Sequence, residues 1–280
     1  TARLPGRAGA CRWNVAMDAP VLIDSRPGVT RVTFNRPEQG NALDLETARA
    51  LLAAIRTAED SPHTSVLTLT GTGRLFCGGG DVAAMAARTP EERPAFLSEL
   101  AQAAHEVMLA LAGSRLVILA AVNGSAAGAG LGLVLNSDLV LAAEPAKFVA
   151  AYSGIGLTPD SGVSRLLPHV LGHQRAMELL VTGRALTAAQ AAEWGLVNEV
   201  VPTERFEAAI TQWEARLLRT PAGVLADTKS LARLATEPGV GHAKHLDREA
   251  ELIAQACTSP ESRELIKRFG APPTQAAPPA

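Results

Sequence analysis

The sequence predicts an α/β protein of parallel strand–helix units followed by a helical C-terminal region. Three observations predict it. Short apolar strand patterns alternate with helical patterns up to about residue 202, as parallel βα-type units require. Residues 116–122 form an unbroken apolar run bounded by polar residues, the mark of a strand buried on both faces. Beyond Pro202 only helical patterns remain.

The elements follow in order. Residues 21–25 and 29–34 are β-rich and are separated by Arg26-Pro27-Gly28, which predicts a hairpin. Asp44 is placed to cap a helix, with Glu46 in its first turn. Leu45, Ala48, Leu52 and Ile55 then recur at helical spacing. Residues 65–70 read as a short buried strand, followed by glycines at 71, 73 and 78–80. A long helix is expected over 95–111. After the 116–122 strand comes a small-residue segment, 123–130, then a short helix to about Leu135 and a strand over 138–143. The C-terminal helices are expected over 207–218, 222–234, 242–256 and 260–269. That helical region is short for an independent core, so it is expected to pack on its own core domain and on a partner subunit.

Composition narrows the function classes. The chain has 280 residues, of which 47% are apolar and only 4% aromatic, so its core is built from Ala, Val, Leu and Gly rather than rings. With 26 basic and 28 acidic residues the formal charge is −2. No long basic run is present, which leaves no electrostatic basis for nucleic-acid binding. No apolar run approaches the roughly 20 residues of a membrane span. Cys11, Cys77 and Cys257 are scattered and form neither a disulfide framework nor a metal-binding pair. A reducing, cytoplasmic setting is expected.

Residues 1–19 carry Arg3, Arg7 and Arg12 with no acid before Asp18. A disordered extension is preferred there over a transit peptide, and Met17 is a candidate natural start. Residues 271–280 contain four prolines and are read as a second tail. The expected organisation is tail 1–19, core 20–202, helical region 203–270 and tail 271–280.

Two segments can bring backbone N–H groups to a common point. One is Phe76-Cys77-Gly78-Gly79-Gly80-Asp81; the other runs from Gly124 to Gly132. Glycine and alanine let a backbone approach a ligand closely, and two amides aimed at one oxygen make an oxyanion hole. The plainer alternative is that both are glycine turns demanded by tight strand–helix packing. Gly128-Ala129-Gly130-Leu131-Gly132 lacks dinucleotide-binding spacing and starts several residues after its strand. His242, His245 and Asp247 fall at i, i+3 and i+5 of an expected helix, where a solvated face is the default, so no metal site is expected.

With these segments in view, the chain resembles the enoyl-CoA hydratase/isomerase (crotonase) superfamily. The resemblance rests on Phe34-Asn35-Arg36-Pro37-Glu38 with Asn41-Ala42-Leu43, on residues 75–81, on residues 121–130, and on Gly156-Leu157-Thr158-Pro159-Asp160. Residues 179–183 and 193–201 extend it. It implies a spiral of repeated ββα units with a C-terminal helical oligomerisation region, assembled as a homotrimer or a dimer of trimers. It implies an acyl-CoA thioester as substrate and no further cofactor. The thioester oxygen would lie between the amides of Gly78 and Ala129. Asn41, Ala42 and Leu43 would line the adenine end of the coenzyme. Phe76, Asp81 and Tyr152 are further candidates for substrate binding.

Departures from the family pattern point to the reaction. Hydratases of the family hold a water between two glutamates. The corresponding positions here are Gly132 and Tyr152, and neither residue can serve as a carboxylate base near neutral pH. Asp160 remains. It matches the single acid of several isomerases in the family, and the 1,2-epoxyphenylacetyl-CoA isomerase type is the nearest pattern. This implies an acyl-CoA isomerase that shifts a double bond, or rearranges an epoxide or ring intermediate, through a thioester enolate. Asp160 would be its acid–base, its proton affinity raised by apolar walls. The alternatives are a hydratase using a different acid, a non-catalytic acyl-CoA binder, and an Asp160 that merely caps the next helix. Tyr152 either lines the acyl pocket, hydrogen-bonds substrate or Asp160, or packs in the core. Asp81 either ties its loop or caps the helix after it, and Cys77 is expected to be a packing residue.

Overall fold

The computed structural model describes residues 19–236 and 239–270. The predicted tails, apart from Ala19, lie outside the described residues, as do Cys11 and Met17. The strands are β1 (Val21–Arg26), β2 (Gly28–Phe34), β3 (Thr64–Gly71), β4 (Leu75–Cys77), β5 (Val117–Val122), β6 (Ser125–Ala127), β7 (Leu139–Ala143), β8 (Lys147–Val149), β9 (Leu186–Thr187) and β10 (Glu199–Val201). The helices are α1 (Leu45–Asp60), α2 (Val82–Ala86), α3 (Arg93–Gly113), α4 (Ala129–Leu135), α5 (Val163–Leu171), α6 (His173–Thr182), α7 (Ala188–Glu193), α8 (Phe206–Leu217), α9 (Ala222–Leu234), α10 (His242–Ala256) and α11 (Pro260–Gly270).

From β3 to β8 consecutive strands alternate between two sheets. A six-stranded sheet has the order β1-β2-β3-β5-β7-β10, and a four-stranded sheet the order β4-β6-β8-β9. Thus β3 and β4, β5 and β6, and β7 and β8 are pairs in which the first strand joins one sheet and the second joins the other. A helix follows each pair, which is the repeated ββα unit of a spiral. Pairing from β2 through β10 in the large sheet is parallel, and β1 closes its edge antiparallel to β2. The four strands of the small sheet are two or three residues long. Such segments are too brief to show a period of two, so sequence patterns reveal only the glycines around them.

The longer elements arise for local reasons. The Asp44 carboxylate accepts the Thr47 N–H at 2.8 Å and starts α1, and the apolar face of that helix buries Leu51, Leu52 and Ile55. All six residues of β5 are buried. Ile118, Ala120 and Val122 enter the main core. Leu119 and Ala121 alternate to the other face, where they meet Phe206, Ala209 and Ile210 of α8.

That second face corrects the expected boundary after residue 202. The described residues form two compact units that divide between Leu217 and Leu218, so α8 belongs with the sheets. Buried Glu214 of α8 pairs with Arg26 and Arg31 and accepts the Thr68 hydroxyl at 2.9 Å. A carboxylate withdrawn from water is tolerated because guanidinium and hydroxyl donors satisfy it. The second unit comprises α9, α10 and α11, with α9 packed on α10. Among the described residues no helix is long and apolar enough to cross a membrane.

Candidate active site

Three chain segments converge on one cavity of about 90 Å³. The first is the loop after β4. Leu43 N–H donates to the Gly79 carbonyl at 2.7 Å, and Asp81 N–H donates to the Leu43 carbonyl at 3.0 Å. Both flanking groups therefore face Leu43, and the amide of Gly80 between them faces the opposite way. Gly80 N–H has no hydrogen-bond partner among the described residues, and Gly80 lines the cavity.

This geometry corrects the choice of Gly78 as an oxyanion donor. Its N–H is already donated to the Gly40 carbonyl at 2.9 Å. Gly78 contributes to the cavity wall, but the free amide is two residues further on. The pairing with Leu43 decides which amide is free, and nothing within the Gly78-Gly79-Gly80 run encodes it.

The second segment is the β6–α4 connection. Gly128 N–H donates to the Val149 carbonyl at 3.0 Å. Ala129 then opens α4, so its N–H belongs to the first turn, where no intrahelical partner exists. Gly130 sets how closely this loop meets the first one. A β-carbon at that position would lie 2.3 Å from the Cys77 carbonyl oxygen. Gly80 and Ala129 consequently line the same cavity.

The third segment runs from Tyr152 to Asp160. The Tyr152 hydroxyl donates to Asp160 Oδ1 at 2.8 Å, and the Ser161 hydroxyl donates to the same oxygen at 2.8 Å. Burial, together with the neighbouring Asp160 charge, pushes the Tyr152 phenol far above its ordinary range. The phenol therefore stays protonated and remains a donor. Asp160 does not cap α5, whose N-cap is Gly162, without a side-chain cap. Asp160 is exposed, so the enclosure by apolar walls expected from sequence is not met in the chain.

Ser161 is a residue that sequence reasoning overlooked. Its backbone has φ of 54°, a region uncommon for residues other than glycine. Its carbonyl accepts Asn136 Nδ2–H at 3.3 Å, which ties it to α4. A β-carbon on Gly132 would come within 2.6 Å of Ser161 Cβ and 2.8 Å of the Ser161 carbonyl oxygen. The space where a side chain at position 132 would begin is thus already filled.

Several expected binding residues turn inward. Phe76 is fully buried, edge-to-face with Phe34 at 5.5 Å, so its ring packs the core and not a ligand. Asp81 caps α2 by accepting Ala84 N–H at 2.9 Å and lies 3.6 Å from Arg36; its carboxylate ties the loop. Asn41 accepts Arg36 N–H and donates to the carbonyls of Thr72 and Leu75. Its side chain is a buried loop staple. Ala42 is buried and its carbonyl accepts from Arg36. Leu43 alone of the three reaches the cavity. Any other ligand contact from that stretch is left to its backbone. Val82 and Met85 of α2 form one part of the cavity wall, and Leu97 and Leu100 of α3 complete it.

Cys77 is fully buried, and burial pushes its thiol from 9.0 up to about 12, with a Gly79 backbone hydrogen bond opposing. It is therefore a neutral packing group. The folded value exceeds the unfolded one, so stability present below about pH 9 is lost as pH rises toward about 12. The unfolding free energy is expected to fall by roughly 1.4 kcal/mol per pH unit through that window. Urea unfolding at stepped pH measures this, and Cys77→Ala should flatten the slope. Among the described residues no group of three His, Cys, Asp or Glu is arranged to hold a metal.

Comparison with known proteins agrees with this architecture. A family model described as "Enoyl-CoA hydratase/isomerase" matches residues 24–270. The chain is 36% identical over 247 residues to a 1,2-epoxyphenylacetyl-CoA isomerase of Escherichia coli, covering 88% of this chain and 84% of the relative. It is also 36% identical over 248 residues to a probable enoyl-CoA hydratase of Rhodobacter capsulatus, covering 86% and 91%. The crystal structure of an enoyl-CoA hydratase from Polaromonas superimposes with a TM-score of 0.83 at 30% identity, covering 89% of this chain and 96% of that one.

Proposed function

The chain belongs to the enoyl-CoA hydratase/isomerase family, and from that premise we propose that it is an acyl-CoA isomerase that moves a double bond through a thioester enolate. The observation that carries this reading is that Asp160 is the one carboxylate lining the cavity among the described residues. Water addition by the family's paired-glutamate route needs two. A single acid–base suits a proton that leaves one carbon and returns to another.

In this proposal the acyl thioester lies with its carbonyl oxygen against the amides of Gly80 and Ala129. Asp160 takes a proton from the carbon next to the thioester carbonyl. The electron pair spreads onto the carbonyl oxygen and along the adjacent double bond, giving a dienolate. The two amides stabilise the oxyanion, and removal of one such donor typically costs about 3–4 kcal/mol. Asp160, now protonated, returns the proton to the far carbon of the former double bond. The product is the conjugated 2-enoyl thioester, and the carboxylate is regenerated. The apolar wall of Leu97, Leu100 and Met85 favours an uncharged acyl group.

Purified protein supplied with a 3-enoyl-CoA is expected to form the conjugated 2-enoyl-CoA, followed by its ultraviolet absorbance. The hydratase alternative draws support from the Rhodobacter relative, equal in identity to the isomerase. Rapid hydration of crotonyl-CoA with no isomerisation of any 3-enoyl-CoA would establish that alternative and end the isomerase reading.

A further inference from the structure

We propose that Tyr152 and Ser161 act as a two-hydroxyl clamp on Oδ1 of Asp160, reserving Oδ2 as the one atom that takes up and delivers the proton. The inference rests on the reading of Asp160 as the acid–base, and both hydroxyl-bearing residues are positioning residues within it.

A carboxylate has two acceptor oxygens. Each has about two lone-pair positions. The hydroxyls of Tyr152 and Ser161 both donate to Oδ1, each at 2.8 Å. Oδ1 is therefore fully engaged, while Oδ2 has no hydrogen-bond partner among the described residues. Proton transfer at Oδ2 breaks neither bond, so the carboxyl can change charge without losing its orientation. A proton-transfer group held in one pose raises the share of encounters that are productive.

The chemistry of the donors matters as much as their number. No lysine, arginine or histidine forms an ion pair with Asp160 among the described residues. A guanidinium in that place would orient the carboxylate too, but it would strongly favour the charged form and weaken the base. Neutral hydroxyls orient it at a smaller loss of basicity. Tyr152 is suited to this because it is buried and stays protonated. Its ring also lines the cavity.

The two donors are anchored to different elements. Tyr152 follows β8 in the small sheet. Ser161 is held by its positive φ and by Asn136 of α4, which also donates to the Gly132 carbonyl at 2.8 Å. The carboxylate is thereby registered against α4, the helix whose first amide is that of Ala129. The clamp ties the acid–base to the element that carries one of the two oxyanion amides.

Tyr152 is the single tyrosine of the chain, which gives a readout independent of turnover. Protein labelled with ¹³C at tyrosine Cζ is expected to show one resonance, and that resonance should move when Asp160→Ala removes the oxygen that accepts the phenol proton at 2.8 Å. A resonance at the same position in wild type and Asp160→Ala overturns the clamp, whether or not the protein turns over substrate. The kinetic arm uses Tyr152→Phe and Ser161→Ala. Each is expected to lower kcat roughly tenfold, to leave KM within about twofold, and to move the acid limb of the kcat/KM profile to higher pH. A limb unmoved in both variants overturns the proposal. Absence of isomerisation by the wild type instead removes the acid–base reading, and the resonance still decides whether the hydroxyls grip the carboxylate.

Discussion

Asp160→Asn is expected to lower the rate of 3-enoyl-CoA isomerisation by roughly 10²–10⁴-fold, with binding of the acyl-CoA nearly unchanged. Asparagine has almost the shape of aspartate. Its carbonyl oxygen can still accept from the Tyr152 and Ser161 hydroxyls, which meet Asp160 at 2.8 Å. The loop should therefore hold, and no buried donor is stranded. What disappears is an atom able to accept a proton near neutral pH. Asp160 is the sole carboxylate at the cavity among the described residues, so no neighbour is placed to take over. Stopped-flow or steady-state absorbance at the conjugated enoyl band measures the rate, and calorimetry with a non-isomerisable acyl-CoA measures binding. A variant within threefold of wild type would show that the proton travels by another route.

Gly132→Glu is expected to destabilise the protein and to abolish isomerisation without introducing water addition. On sequence alone this substitution looks like restoring one half of a hydratase. Its β-carbon would sit 2.6 Å from Ser161 Cβ and 2.8 Å from the Ser161 carbonyl oxygen, with Met108 Cε 3.4 Å away. Two of these contacts are shorter than real β-carbons adopt, so the 161 loop must move. Overpacking of this kind costs about 1–3 kcal/mol, corresponding to a fall of roughly 3–10 °C in the thermal midpoint. Because Ser161 grips the Asp160 carboxylate, the displacement reaches the acid–base directly. Adding Ser161→Gly removes one of the clashing atoms and should recover part of the midpoint, but not the rate. Crotonyl-CoA hydration by Gly132→Glu at an unchanged midpoint would show that the space is open after all.

These two substitutions also separate what was legible in the chain from what was not. The hairpin at Arg26-Pro27-Gly28, the Asp44 cap, the buried run of β5 and the helices α9 and α10 follow from local rules, and each stands within a residue or two of its expected place. Missing glutamates at 132 and 152 are equally plain from sequence. The candidate site was legible as two glycine loops and one acid. Its working details were not. Phe76 looked available beside a glycine loop, yet the adjacent sheet buries it. Leu97 and Leu100 looked like ordinary helix residues, yet α3 brings them to the cavity.

Local chemistry along the chain determined where the longer strands and helices begin and end, and that one carboxylate and two amide-rich loops would be present. The tertiary structure decided which amide is free, since Leu43 engages the groups on either side of Gly80. It decided as well that α8 closes the sheet, and that a serine backbone takes up the room at position 132. The physical reason is common to all three. Propensities, caps and hydrophobic periods act over a few residues, whereas the direction of an N–H and the occupancy of a volume depend on segments tens of residues apart.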